Sequence, residues 1–411
     1  MRDRERGKGK REERVPRAVY WFGATSFLND FASEIIYPLL PAFVTRTLGG
    51  GAVALGALDG AAESVAAGVK LAGGYLAQRT RLRGPLVVGG YAIAAVVRPL
   101  LALAAAAWQA IALRVADRVG KGLRTAPRDV MIADAVGDAM RARAFGLHRA
   151  ADHAGAVAGP LVAAALLAYG LSVRDVFWVA VGPGVLAVGC ALTAVRQGSG
   201  AGAGGSGQNQ AAPAAEKAPP STSLAPDRGA LTPVLLTLAL ASSLRVPETL
   251  LILRVQDLGL ATAAVPLLWA ALHVVRSAAA YPGGMLADRF GERPVLALGW
   301  AGYAALVVML GAASSLAAGC ALFAALGVAT AVVEGPERAL VARISGRSGR
   351  GRGFGWYHAL TSATALPGAL LIGWLYQDHG AATAFAAAAL TSVAASAVQG
   401  AGNWRETRGG G

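Results

Sequence analysis

Long apolar runs occupy most of this chain of 411 residues. Hydrophobic residues make up 55% of the chain and charged residues only 15%, whereas soluble domains average about 25% charged residues. A run of about 18 or more apolar residues is long enough to cross the hydrocarbon core of a bilayer as a helix. The sequence therefore predicts an all-α protein that crosses a lipid bilayer many times.

The apolar runs predict twelve membrane spans, because each run is followed by a short polar or glycine-containing connection. The predicted spans are residues 18–44, 53–77, 85–105, 109–128, 144–169, 176–196, 231–255, 263–287, 294–313, 316–337, 356–377 and 381–402. An even number of spans places both termini on the same side of the membrane. No cleavable signal peptide is visible at the basic N-terminus.

A stretch rich in glycine, alanine, serine and proline divides the predicted spans into two groups of six. We expect it to form a flexible linker on the same side as the termini. The predicted segments are a basic tail at 1–17, a six-helix bundle at 18–197, the linker at 198–229, a second six-helix bundle at 230–403 and a short tail at 404–411.

The net charge of +14 comes from basic residues that cluster at alternate connections. Such an alternation is typical of a multi-pass membrane protein whose basic loops face the cytoplasm, and it argues against a nucleic-acid partner. We therefore expect a bacterial-type cytoplasmic membrane and cytoplasmic termini. Beyond the N-terminal tail, the clustered residues are Arg79, Arg81, Arg83, Arg141, Arg143, Arg289, Arg293, Arg338, Arg343, Arg347, Arg350 and Arg352.

The two groups of spans contain matching segments. Residues 127–129 align with residues 336–338 at an offset of 209, and residues 74–79 align with residues 284–289 at an offset of 210. Repeated halves in a helical membrane protein are typical of transporters, whose solute site lies near the midplane between the halves. We therefore expect a small-molecule solute to bind between the halves of a monomer.

Charged residues recur in every third predicted span, which are the first, fourth, seventh and tenth. Charges at membrane depth are costly unless they face a water-filled cavity or a partner, so these spans are predicted to line a common polar cavity. Together with two acids of the second span, the candidate proton-coupling or solute-binding residues are Asp30, Glu34, Asp59, Glu63, Arg114, Asp117, Arg118, Lys121, Arg245, Glu248 and Glu334.

Asp30 and Glu34 lie one helical turn apart on the first span, so their carboxylates are predicted to share a face. Two close carboxylates in a low-dielectric site repel, which favours proton uptake by one of them. The pair is interpreted as a proton-coupling or cation-binding site, with a static ion pair to the fourth span as the alternative. Protons are the expected coupling ion, and no cofactor is expected.

The fourth span presents five cations and one acid along one helical face between Arg114 and Asp129. Arg114 and Arg118 are predicted either to bind a carboxylate-bearing solute or to hold acids of the first two spans. Residues nearer the basic connections are predicted to form a gate, and we expect Glu334 to lie deeper than Glu337. The predicted gate residues are Arg124, Arg128, Asp129, Arg149, Asp152, Gly284, Asp288, Arg289, Gly291, Glu337 and Arg338.

Two motifs resemble those of the major facilitator superfamily. The segment G-M-L-A-D-R-F-G-E-R at 284–293 resembles the G-x-L-a-D-R-x-G-[RK]-[RK] loop of that family, and Arg114 resembles the buried arginine of its fourth helix. Gly146, Gly155, Gly159 and Pro160 resemble the fifth-helix motif G-x8-G-x3-G-P of its bacterial 12-helix drug/proton antiporters. The resemblance implies two six-helix bundles with alternating access, in which the fifth-helix bend controls closure and leak.

We therefore expect proton-coupled efflux of a small organic solute. The alternatives are uptake or exchange of an organic anion at the basic face of the fourth span, and a membrane receptor or scaffold that transports nothing. An enzyme is not expected, because the chain has no nucleotide-binding loop or nucleophile elbow. Its two cysteines and five histidines show no metal-ligand spacing, so no metal site is predicted.

Overall fold

The computed structural model describes residues 15–136, 140–201 and 228–408, and every regular element in those ranges is helical. We call residues 15–201 the first half and residues 228–408 the second half. The predicted basic tail up to residue 14, most of the predicted linker and the end of the predicted C-terminal tail lie outside the described residues.

The first half begins with a helix that breaks where two prolines remove backbone N–H donors. After α1 (Arg17–Glu34) come a 3₁₀ turn (Tyr37–Leu39), the short α2 (Leu40–Ala42) and a π turn (Phe43–Thr47). The remaining helices are α3 (Ala52–Leu76), α4 (Thr80–Leu100), α5 (Ala107–Asp134), α6 (Arg141–Ala168), α7 (Val173–Val179) and α8 (Val181–Ala201).

The second half contains a broken helix in place of the seventh predicted span. The helices are α9 (Arg228–Ser243), α10 (Glu248–Asp257), α11 (Val265–Phe290), α12 (Glu292–Ala312) and α13 (Leu316–Arg408), with a 3₁₀ turn at Thr262–Ala264. The break between α9 and α10 ends at Pro247, whose fixed φ suits the position before a helix.

The chain reverses direction twice within α13. The Tyr357 hydroxyl donates to Glu337 Oε2 at 3.1 Å, although twenty residues of straight helix would separate them by about 30 Å. Gly380 has a φ of 83°, and beyond it Phe385 packs on Tyr376 with 5.8 Å between ring centroids. The helix therefore folds back on itself twice. Within the described ranges, nine helical segments are long and apolar enough to cross a membrane.

Short connections join consecutive helices as antiparallel hairpins, which assigns the connections to two faces. The basic face carries the connections at 77–79 and 291 and the residues 135–136 that follow α5, beside the arginine clusters. The neutral face carries the connections at 48–51, 104–106, 169–172, 258–261 and 313–315.

The two halves pack tightly near the neutral face and separate toward the basic face. A Cβ atom added at Gly60 would lie 2.8 Å from Ala369 Cβ, and one at Gly373 would lie 2.7 Å from the Ala52 carbonyl oxygen. Farther along α3, a cavity of about 510 Å³ lies between residues 64–71 and residues 359–367, and at its edge the Ser64 hydroxyl donates to the Ser362 carbonyl oxygen at 2.9 Å. The helix pair α3–α13 is therefore packed closely near the neutral face and more loosely toward the basic face.

Candidate functional site

The most deeply buried charges lie inside the first half. Arg98 of α4 donates from Nε to Asp117 Oδ1 of α5 at 2.9 Å. Its Nη1 also donates to the backbone oxygen and to Oδ1 of Asn29 on α1, at 2.8 and 3.1 Å. Buried ions are tolerated when they are paired and hydrogen-bonded, so this cluster ties three helices together.

Asp117 faces more positive charge than it can neutralise. Arg114 Nη1 and Arg118 Nε each lie 3.8 Å from Asp117 Oδ2, while Arg98 occupies the other oxygen. Arg114 also stacks over the Tyr37 ring, 4.4 Å from its centroid. Three arginines around one carboxylate leave a net positive region on the predicted polar face of α5, and Lys121 on that helix is exposed.

Arg124, a predicted gate residue, belongs to the same buried cluster. It is only 2% exposed, donates to Asn29 Oδ1 at 3.1 Å and to the Gly90 carbonyl at 2.9 Å, and stacks over Tyr91. Toward the basic face, Arg128 donates to the carboxylate of its neighbour Asp129 at 2.9 and 3.0 Å. These contacts all stay within the first half.

Asp152 of α6 lies beside Asp30, because it accepts from Ser26 one turn earlier on α1, and the two carboxyl groups interact. Asn29 Nδ2 donates to Asp30 Oδ1 at 2.8 Å, the Ser26 hydroxyl donates to Asp152 Oδ1, and Arg149 donates to Asp152 Oδ2 at 3.3 Å. Two carboxyl groups can hydrogen-bond to each other only when one of them carries a proton. The sequence predicts Asp152 as a gate residue, whereas in the structure it lies next to the first helix.

The glycines of the fifth-helix motif explain how these two acids meet. A Cβ atom at Gly159 would lie 2.6 Å from the Phe31 carbonyl oxygen, and one at Gly155 would overlap the Phe27 carbonyl oxygen. Small residues at these two positions let α6 approach α1 closely. Asp152 lies one turn before Gly155, so the glycine spacing is the signal that could have paired it with α1.

Glu34 reaches across to the second half. Trp269 Nε1 of α11 donates to Glu34 Oε2 at 2.7 Å, and His273 Nε2 lies 3.7 Å from the same oxygen. The Trp269 ring also packs against Tyr37 and His273, with 5.1 Å between centroids in both cases. This contact forms part of the closure between the halves.

Asp59 makes a second contact between the halves. Its Oδ2 accepts from the backbone N–H of Thr249 at 3.1 Å and from the Thr249 hydroxyl at 2.8 Å. The Tyr37 hydroxyl lies 3.2 and 3.3 Å from the two carboxylate oxygens. Glu63 lies one helical turn after Asp59 on α3, is exposed and forms no ion pair with any described residue.

Two further contacts in the second half involve Arg276 of α11 and Arg245, which lies in the break before α10. Arg276 Nη2 of α11 donates to Glu248 Oε1 at 2.5 Å, and the Arg245 guanidinium lies 5.7 Å from the Tyr303 ring centroid. Both contacts stay within the second half.

Glu334 and Glu337 differ in how their side chains are held. The Glu334 side chain is 64% exposed and pairs with Arg338 one turn away at 2.6 Å. Glu337 accepts from Trp300 Nε1 at 3.2 Å and from the Tyr357 hydroxyl at 3.1 Å, so it is the acid held against neighbouring helices. The fold-back of α13 supplies one of these donors, which the local sequence does not indicate.

The sequence profile of the Major Facilitator Superfamily matches residues 22–272 and 227–401 of the chain. This chain belongs to the Major Facilitator Superfamily. The resemblance inferred from the motifs is confirmed, and the chain is a multi-pass membrane transporter rather than an enzyme.

Two superfamily relatives align with nearly the full length of the chain. An uncharacterized MFS-type transporter of Methanocaldococcus jannaschii is 28% identical over 373 residues, which are 89% of this chain and 90% of that protein. An uncharacterized protein of Mycobacterium tuberculosis is 30% identical over 375 residues, which are 88% and 87% of the two chains. A mutant of the nucleoside transporter NupG shares the fold, with a TM-score of 0.75 at 12% identity over 93% of this chain and 99% of its own.

The superfamily loop motif lies between α11 and α12, at the basic face. Gly291 ends α11 with a φ of 86°, a conformation that favours glycine, and α12 begins at the next residue. Gly284 lies inside α11, and both Asp288 and Arg289 are exposed. The predicted gate residues of this loop are therefore available at the surface of the open end.

Proposed function

We propose that this transporter exports a small organic solute in exchange for protons. In this proposal its twelve spans form two six-helix bundles that rock about a central site. The observation that carries the proposal is that the Asp30 and Asp152 carboxyl groups lie beside each other between α1 and α6, because two close carboxyl groups can hold one proton between them and so carry it.

The surroundings of the acid pair support an exchange. Lys121 of α5 interacts electrostatically with Asp30, and it is exposed on the polar face of that helix. A cationic solute that approaches the pair favours its ionised form, so binding of the solute and release of the proton are coupled. The separation of α3 from α13 toward the basic face supports access to the site from that side.

Alternating access requires contacts that break on one side while others form. Glu34 and Asp59 each form hydrogen bonds to the second half near the neutral face, and these bonds would have to break when that face opens. We assign the closing surface of the basic face to the predicted gate residues Asp288, Arg289 and Arg338, which are exposed while that end stands open.

The test uses liposomes that contain the purified transporter and trapped pyranine, a dye that reports internal pH. Ethidium, tetraphenylphosphonium and norfloxacin serve as probe solutes under an imposed proton gradient. We expect at least one probe to drive proton movement, and Asp30→Asn and Asp152→Asn to reduce it at least tenfold. The matched control is Asp378→Asn, which changes an exposed acid of the second half, away from the Asp30–Asp152 pair in the first half.

Proton movement that survives both substitutions would remove the acid pair from the mechanism. The second candidate is uptake or exchange of an organic anion, which is favoured by the three arginines around Asp117. Arginines bind carboxylates in bidentate geometry. In this case succinate or benzoate would compete with the transported anion for uptake, and Arg118→Gln would weaken that competition. Carboxylate uptake that is indifferent to the proton gradient would favour this candidate over export.

A further inference from the structure

The first turn of α10 lacks the usual side-chain cap. Helix N-termini leave backbone N–H groups without intrahelical partners, and a Ser, Thr, Asp or Asn side chain at the preceding position normally accepts from one of them. The preceding residue here is Pro247, which has no acceptor side chain. The Pro247 carbonyl accepts from Leu250 and Leu251 at 3.0 and 3.2 Å, which leaves the N–H of Thr249 to be satisfied elsewhere.

Asp59 supplies the missing cap from the other half of the molecule. One oxygen of its carboxylate accepts from both the N–H and the hydroxyl of Thr249, as a capping residue does. Thr249 is fully buried, so water does not replace the acceptor while the halves are closed. The Tyr37 hydroxyl donates to the same carboxylate and holds it in place. The Arg114 guanidinium stacks over the Tyr37 ring.

The break between α9 and α10 gives this contact a mechanical consequence. Residues 244–247 are not helical, so α10 is joined to α9 by a hinge rather than by a continuous helix. A carboxylate at a helix N-terminus is stabilised by the partial positive charge of that end. The Asp59 contact therefore ties the first half to the N-terminus of α10 in the second half.

We propose that Asp59 is a positioning residue for transport that latches the neutral face closed by capping α10 across the two halves. The inference rests on the alternating access of the proposed function, because the cap must break whenever the neutral face opens. It does not require a particular solute or coupling ion.

The test measures the closed and open populations at the neutral face directly. Spin labels are placed at Thr47→Cys and Ala261→Cys, both exposed positions of opposite halves, after Cys190→Ser and Cys320→Ser. Pulsed electron–electron double resonance then gives the distribution of distances between the two spin labels in lipid nanodiscs. We expect Asp59→Asn to lower the ratio of short to long distances about tenfold, since Asn keeps an acceptor oxygen but loses the negative charge that strengthens the cap.

Asp257→Asn is the matched control. Asp257 lies on α10, the helix that Asp59 caps, but it accepts from the Tyr376 hydroxyl at 2.6 Å within the second half. We expect it to leave the ratio unchanged. Thr249→Val keeps the acid and removes only the hydroxyl donor, so it should lower the ratio about threefold, and it serves if Asp59→Asn does not fold.

An unchanged distance distribution in Asp59→Asn or, if that variant does not fold, in Thr249→Val would overturn the latch. So would an equal shift in Asp257→Asn. The outcome is independent of the proposed function: distances that shift as expected in a protein that moves no solute would refute proton-coupled export and leave the latch standing.

Discussion

Arg98 and Asp117 form an ion pair between α4 and α5 that is almost closed to solvent. Their side chains are 6% and 5% exposed, and Arg98 Nε lies 2.9 Å from Asp117 Oδ1. Removing one member of such a pair leaves the other as an uncompensated buried charge. Since Arg114, Arg118 and Arg124 crowd the same region, Asp117 is the group that makes this density of positive charge tolerable.

We expect Asp117→Asn to lower the free energy of unfolding of the first half by about 3–5 kcal/mol. The apparent melting temperature in detergent should fall accordingly. Fluorescence-detected size-exclusion chromatography after heating measures it. Asp134→Asn is the control, because Asp134 lies on the same helix and pairs with Arg83 at 2.8 Å while 62% exposed. That exposed pair contributes at most about 1 kcal/mol. Equal losses in both variants would contradict the central role of Asp117.

The contact between α1 and α6 should tolerate no side chain at Gly159. The Cβ of Gly159→Ala would lie 2.6 Å from the Phe31 carbonyl oxygen, so the two helices must move apart at a cost of about 1–3 kcal/mol. Thermal stability and yield should both fall. Gly146→Ala adds the same atom on the same helix where no other group lies within 4 Å, and it should be neutral or mildly stabilising. A stable Gly159→Ala variant would show that the helices do not pack as described.

A similar comparison on α3 probes the closure of the two halves. The Cβ of Gly56→Ala would overlap the carbonyl oxygen of Ala369, and a backbone group cannot rotate away as a side chain can. We expect this variant to populate the state that is open at the neutral face, as an increase in the longer Thr47–Ala261 spin-label distance. Gly68→Ala on the same helix meets open space and should leave the distances unchanged. No difference between the two would place the closing contact elsewhere.

The two acids at the basic end of the second half should differ in their effect on stability. Glu337→Gln weakens hydrogen bonds from Trp300 and Tyr357, and we expect it to destabilise by about 1–3 kcal/mol. Glu334→Gln removes an exposed pair with Arg338 and should stay within about 0.5 kcal/mol of the parent. Thermal unfolding in detergent checks both, and a larger loss in Glu334→Gln would contradict the assignment of Glu337 as the acid held by neighbouring helices.

The loop motif at 284–293 and the glycine spacing of the fifth span identified the superfamily, because both depend on residues close together in sequence. The bounds of most helices also follow from apolar runs and breaking residues. The reversals in α13 also follow from the sequence, because basic residues at 338–352 and the polar residues 378–379 interrupt the apolar runs, whereas the break before α10 falls inside the predicted span 231–255. Hydropathy reports the surrounding medium, and it does not report the path of the backbone within it.

The sequence by itself determined that this protein is a membrane-spanning helical transporter and that its charges concentrate on α1, α3, α5 and the helices that follow the linker. Only the tertiary structure decided the partners of those charges. Asp30 and Glu34 are one turn apart, yet Asp30 lies beside Asp152 of α6 in its own half and Glu34 bonds to α11 of the other. The physical reason is that helical periodicity fixes which side chains share a face, whereas the packing of neighbouring helices fixes what that face meets.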